Sequence, residues 1–190
     1  MKQERARRTR ERILDAAAEE FTLHGYANAT VQGVAARTGM TKGALYGHFG
    51  TKQGLAEELL RQAREAWSLQ WDASGEPGAP ALEALRRLVF GLSGQYYGNV
   101  RFRAAFRLVA DGPRATDGPD LVETVEHHLT EAVERVQREG AATAGLPPET
   151  VALVLLAIVV GMHLVGRPQP VGSPPDRVGQ AWTFLAAVLG

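Results

Sequence analysis

The chain has 190 residues, 45% of them apolar and 22% charged, with basic and acidic side chains in equal number and no cysteine. That length suits one or two domains with a real core, and the missing cysteines exclude a disulfide framework and thiol chemistry. Zero net charge excludes a uniformly basic nucleic-acid binder, yet the charge is segregated. Residues 1–52 carry Lys2, Arg5, Arg7, Arg8, Arg10, Arg12, Arg37, Lys42 and Lys52 against Glu4, Glu11, Asp15, Glu19 and Glu20, a balance of +4 that leaves −4 on the rest. A basic head on an acidic body is the distribution expected of a nucleic-acid reader with a second role. The N-terminus lacks the apolar run of a secretory leader, so the expected location is cytoplasmic.

Met1–Arg12 is basic and is expected to be a solvated tail, or an arm that follows phosphates or enters a minor groove. A first helix is predicted from Arg8 to His24, because Ile13, Ala17 and Phe21 repeat at i, i+4, i+8 and Leu14 widens that stripe. Gly25 is a natural stop. Thr30 is the N-cap of a second helix, Val31–Thr38, and Gly39 permits a left-handed turn. Thr41 caps a third, Lys42–Phe49. That helix is weak in isolation: Gly43 and Gly47 each cost about 1 kcal/mol against alanine. Packing must hold it, through Leu45 and Phe49 on one face with Met40 closing the turn. Two helices joined by a tight glycine turn form a helix-turn-helix. Its expected core is Ile13, Leu14, Ala17, Phe21, Val31, Val34, Met40, Leu45 and Phe49.

The outward face of the third helix carries Thr41, Lys42, Gly43, Tyr46 and His48. Each suits a phosphate backbone: a helix N-terminus supplies free N–H groups and partial positive charge, and Gly43 lets the backbone come close. Thr51 caps a fourth helix, Lys52 to Trp71, with Leu55, Leu59, Ala63, Trp67 and Trp71 along its apolar face. Lys52 stands in the first turn, where the dipole disfavours a cation, and an external phosphate is the expected answer.

A Gly/Pro-rich break follows at residues 72–80. Further helices are predicted over Ala81–Tyr97, Arg101–Ala110 and Asp120–Arg138, the last opened by Asp120-x-x-Glu123. Val151–Val165 is apolar nearly all round but too short for a typical membrane span, so part of it is expected to meet another subunit. Ser173 and Pro174 read as N-cap and first position of a last helix ending near Leu189. No strand alternation occurs. The fold class expected is all-α, about nine helices: a three-helix helix-turn-helix head over residues 1–52 and a helical ligand-binding and dimerisation body over 53–190, with 53–71 as the connecting helix. A helical body with aromatics suggests a small-molecule pocket. Arg103, His128 and His163 are candidates to orient a ligand; Phe90, Phe106, Val109, Leu121, Val125 and Trp182 are candidate walls, with core packing the alternative for each. His127 and His128, adjacent on a helix, point apart and do not make a metal site.

The run Thr41-Lys42-Gly43-Ala44-Leu45-Tyr46-Gly47-His48-Phe49, with Thr51-Lys52 after it and Phe21, Gly25-Tyr26, Thr30, Val34-Ala35 and Gly39 before it, resembles the DNA-binding signature of the TetR family of bacterial transcriptional repressors. Gly47 and Gly50 depart from it, at positions where the family usually has an aromatic residue and alanine, serine or proline. The resemblance implies a homodimer on a palindromic double-stranded operator, released by a small-molecule effector. The DNA-facing residues are then Thr30, Thr41, Lys42, Gly43, Tyr46, His48 and Lys52. It also implies that the last two long helices pair across a two-fold axis. More narrowly, Leu88-x-Phe90-Gly91, Arg103-Ala-x-x-Arg107-Leu, Val160-Gly161 and Trp182 are similar to the γ-butyrolactone-receptor branch of actinomycetes. That branch places a tryptophan where this chain reads Asp120-Leu121-Val122-Glu123. A butenolide, a furan or an unrelated antibiotic-like effector is therefore as compatible as a lactone, and a drug-responsive repressor of an efflux or resistance gene is the alternative. An enzyme or carrier has no supporting constellation: no nucleophile–base motif, no metal-spaced cluster, no phosphate loop. No cofactor is expected.

Overall fold

The computed structural model describes residues 2–75, 78–111, 120–140, 145–165 and 176–189. Among them lie nine helices and no strand: α1 (Lys2–Asn28), α2 (Val31–Thr38), α3 (Lys42–Phe49), α4 (Lys52–Ser74), α5 (Ala81–Gly98), α6 (Val100–Asp111), α7 (Leu121–Arg138), α8 (Pro148–Val165) and α9 (Asp176–Leu189). They fall into two compact units. The first takes Met1–Glu65 and Asn99–Leu121; the second takes Ala66–Gly98 and Val122–Gly190. The division thus runs through α4 and gathers α6 with the N-terminal helices.

In the first unit α1 is the spine. Ile13, Leu14 and Ala17 are wholly buried and Phe21 nearly so, and α6 packs along them with Phe102, Ala104 and Ala105 fully buried. The expected stop at Gly25 is present as a break in geometry. Its φ of 71° and ψ of 169° interrupt the helix, and one further turn runs to Asn28, with the Ala29 N–H donating to the Gly25 carbonyl at 3.0 Å. The N-terminal expectation is corrected. Residues 2–12 are not a tail but the first turns of α1, a continuous helix from Lys2. No glycine or proline interrupts that segment, arginine and alanine favour helix, and Glu4 accepts from Arg7 and Arg8 at 3.2 Å each, one turn along.

The caps read from the sequence are in place. Thr30 Oγ1 accepts from the Gly33 N–H at 2.9 Å, Thr41 Oγ1 from Ala44 at 3.2 Å and Thr51 Oγ1 from Gly54 at 2.9 Å. Gly39 is left-handed, with φ 68° and ψ 21°. The predicted head core holds for Val34 and Leu45 as for the α1 residues, but Val31, Met40 and Phe49 are only half-buried. An eight-residue α3 buries Leu45 alone. Phe49 lies at the rim, with the Arg10 guanidinium 4.4 Å from its ring centre.

In the second unit α5 packs against α8 and α9, which also touch each other. Leu85, Leu88, Val89 and Leu92 are buried on α5, and Val151, Ala152, Leu155, Leu156 and Val159 form the buried side of α8. Trp67, on the last turns of α4, is fully buried. Ser173 and Pro174, read as the start of the last helix, lie outside the described residues, as does most of the loop before α7. No helix among the described residues is long and apolar enough to cross a membrane.

Candidate nucleic-acid interface

The helix-turn-helix presents an outer face built by what α2 and α3 do not bury. Thr41, Lys42, Gly43 and Tyr46 are exposed, and His48 is half-buried. Alanine in place of Gly43 or Gly47 would meet nothing within 4 Å. The fold therefore does not require glycine there, and both weaken a short helix; the space left at the helix start is open to an outside partner. Several arginines of the head are already engaged. Arg37 pairs with Glu19 and Glu20, Arg10 with Glu58, and Arg12 donates to the Thr38 carbonyl. Lys42 forms no ion pair with any described residue. It is a cation at a helix N-terminus with no counter-charge among the described residues, an arrangement suited to an external anion.

Thr30 is exposed, and its hydroxyl is spent on the cap of α2. Behind it the buried Glu20 carboxylate accepts from the Thr30 N–H at 3.3 Å and from Arg37 Nε at 3.1 Å, locking the entry of α2 against α1. Lys52 has an internal partner that sequence reasoning did not supply. Its Nζ donates to the carbonyls of Tyr26 at 2.6 Å, Ala29 at 3.0 Å and Ala27 at 3.4 Å, and stands 4.4 Å from the Tyr26 ring centre. The inference from an unfavourable helix-dipole position to an external phosphate is corrected: the carbonyls that close the last turn of α1 answer this cation. Only tertiary packing brings positions 26–29 to position 52, and no local signal announces it.

Beside the C-terminal end of α3 is an open cleft of about 400 Å³ lined by Arg10, His48, Phe49, Gly54, Glu57, Glu58 and Arg61. Glu58 accepts from Arg61 Nη2 at 2.7 Å and from Gln62 Nε2 at 2.9 Å, and Arg10 lies 3.3 Å away. The Arg61 hydrogen bond chiefly, then Gln62 and Arg10, outweigh partial burial and hold the Glu58 carboxyl down at about 2. A depressed carboxyl stabilises the fold above its unfolded pKa of about 4.5 and loses that contribution as pH falls towards about 2. Glu58→Gln is therefore expected to have a lower urea midpoint than wild type at neutral pH, with the gap closing over that window; a constant gap would refute the assignment.

Arg101, which sequence reading passed over, pins the start of α6 to α1. Its Nε donates to Asp15 at 2.7 Å and its Nη1 to Glu11 at 2.6 Å and Gln62 at 3.0 Å. The ligand candidates divide between the units. Arg103, Phe106, Val109 and Leu121 belong to the first, where Phe106 packs on Phe102 with ring centres 5.3 Å apart. Phe90, Val125, His128 and Trp182 belong to the second. There Phe90 and Trp182 meet edge to face at 6.2 Å, and His128 stacks on Trp71 at 4.3 Å and on Trp67 at 6.1 Å. Leu121 and Val125 are fully buried. The His163 side chain lies outside the described residues. Trp67 and Trp71 were not among the predicted ligand residues, although their i, i+4 spacing put them on one face.

The family model for bacterial regulatory proteins of the tetR family matches residues 13–59, the α1–α4 portion of the head. Over 170 residues the chain is 29% identical to the A-factor receptor protein of Streptomyces griseus, covering 87% of this chain and 58% of that protein. Two solved structures are similar over almost the whole fold. CprB from Streptomyces coelicolor A3(2) is 30% identical, with a TM-score of 0.83 over 97% of this chain and 90% of its own. A gamma-butyrolactone receptor described as ArpA-like is 30% identical, with a TM-score of 0.81 over 95% and 87%. Two relatives from Pseudomonas putida, 27% and 26% identical over 86% and 84% of this chain, are named as HTH-type transcriptional regulators, the first a probable one. On the match of the head and the likeness along the whole length, this chain belongs to the TetR family of bacterial regulatory proteins.

Proposed function

We propose that the protein is a homodimer that holds a palindromic operator through its two α3 helices and lets go when a small molecule occupies its body. The observation that carries the DNA reading is the bare start of α3: Thr41, Lys42 and Gly43 exposed, with Lys42 unpaired among the described residues. Residues 1–52 serve as the reading head and 53–190 as the body, with 53–71 joining them. Thr41, Lys42 and Gly43 lie nearest the base edges, while Lys42, Tyr46 and His48 hold phosphates and Thr30 flanks them. Lys52 positions α4 against the end of α1. CprB has been studied in complex with its biological operator sequence, which supports the same use of the head here. The effector is a γ-butyrolactone-like, butenolide or furan compound, a reading supported by the similar gamma-butyrolactone receptor. It acts by favouring a body conformation in which the heads no longer match the half-sites. Such a regulator works beside the chromosome, in the cytoplasm.

Selection from a random duplex library with wild type and Lys42→Ala tests this reading. Wild type is expected to enrich one palindrome. On it, Lys42→Ala should bind about tenfold more weakly, and the slope of log affinity against log salt should shrink by about two per dimer, one phosphate contact per head. Equal binding and an unchanged slope would remove Lys42 from the interface.

A further inference from the structure

In the second unit two polar atoms are buried on neighbouring rings of one aromatic cluster, with ring centres 6.1 Å apart. Trp67 of α4 is fully buried, and its indole Nε1 has no hydrogen-bond partner among the described residues. His128 of α7 stacks on Trp71 and on Trp67, and its Nδ1 is likewise buried without a partner among them. Buried polar groups are almost always paired, and each one left alone costs free energy. An indole N–H can only donate, whereas a neutral imidazole Nδ1 donates or accepts according to tautomer. One oxygen atom answers both: a carbonyl takes two donated bonds, and a hydroxyl takes one and gives one. Burial chiefly, and charge repulsion from His127, push the imidazole below its ordinary value against the opposing pull of Glu131 and Asp72. A charged ligand group would thus find no counter-charge on the ring. Trp71 and His128 are half-buried, so their side of the cluster is not wholly closed, whereas Trp67 is covered.

We infer that Trp67 Nε1 and His128 Nδ1 together form the polar anchor of the effector site and take a single uncharged oxygen, carbonyl or hydroxyl, of an otherwise apolar small molecule. This rests on the reading that the body binds an effector, and it adds which atoms hold that effector and what group they accept. Trp71 supplies the stacking face and makes no polar contact in this role.

The test uses the full chain with ¹⁵N-labelled indoles, whose three N–H signals, one for each tryptophan, are assigned by single Trp→Phe variants. Three probes separate the chemistry: γ-butyrolactone offers a carbonyl, tetrahydrofurfuryl alcohol a hydroxyl, and methylcyclopentane neither. At least one oxygenated probe is expected to move the Trp67 signal downfield, and the hydrocarbon is not. His128→Phe keeps a ring in the stack but removes the nitrogen, and should weaken that probe about tenfold. If this variant does not fold, His128→Leu replaces it. A Trp67 signal unmoved by both oxygenated probes up to their solubility limit overturns the inference, as does equal binding by wild type and the His128 variant. Operator binding, measured separately without probe, is untouched by those outcomes. Release of the operator by a lactone that leaves Trp67 unmoved would sink the anchor while leaving the effector reading intact.

Discussion

Gly25→Ala is expected to lower the melting temperature by roughly 5–10 °C, a loss of about 2–3 kcal/mol. Two independent features of one position add up. With φ 71° and ψ 169° the residue occupies a region open in practice only to glycine. A β-carbon there would also clash with Asp111 Oδ2 and stand 3.3 Å from an Arg107 nitrogen. Asp111 can withdraw only by giving up two hydrogen bonds. Its Oδ2 is held by Arg107 Nε at 2.7 Å, and its Oδ1 accepts from the Tyr26 N–H at 3.4 Å, tying the end of α6 to the turn after the break in α1. Alanine restricts the unfolded chain and recovers a few tenths of a kcal/mol, too little to offset strain and clash. Thermal unfolding by circular dichroism measures the change; an unaltered midpoint would show that the turn after His24 relaxes freely.

That position shows what was legible in the sequence and what was not. Gly25 was readable as a helix stop, because glycine after a long amphipathic stripe has one common meaning. Its second role, leaving room for a carboxylate 86 positions later, has no local signature. The same contrast runs through the head. Thr30, Thr41 and Thr51 were readable as caps because a cap is a relation over three residues, and the exposed face of α3 followed from its two-residue apolar side. Lys52 misled, because its dipole position is local and the carbonyls that satisfy it come from the end of another helix. Arg101 was silent for the same reason: Glu11, Asp15 and Gln62 converge on it only once α1, α4 and α6 have packed. Residues 2–12 were read from charge, whereas their helical propensity and the Glu4 pairs decide their structure. In the body, single ligand candidates could be named from composition, but the Trp67–His128–Trp71 stack joins positions some sixty residues apart.

Aspartate at both Leu153 and Val154 is expected to turn the proposed dimer into a monomer and to weaken operator binding by roughly 10²–10⁴-fold, the range over which linking two sites raises avidity. These side chains are 53% and 46% exposed, and Ala157, one turn on, is exposed beside them. The opposite side of α8, from Val151 to Val159, is already buried. The outer side is thus apolar without serving the core of the chain, as expected of a helix that meets its copy across a two-fold axis. Symmetry makes each substitution count twice, so four carboxylates would enter one apolar contact. Burying even one unpaired charge costs several kcal/mol, enough to raise the dimer dissociation constant by roughly a thousandfold or more. Because the buried side of α8 is untouched, the helical circular dichroism spectrum and thermal midpoint of the subunit should survive, and Leu153→Asp alone gives a milder version of the same shift. Sedimentation velocity reads the oligomer, and an operator titration reads the consequence. A dimer that persists with both aspartates would move the subunit contact off this face of α8. A monomer that still binds the full palindrome as tightly as wild type would separate operator affinity from dimerisation, and with it remove the geometric basis for release by an effector.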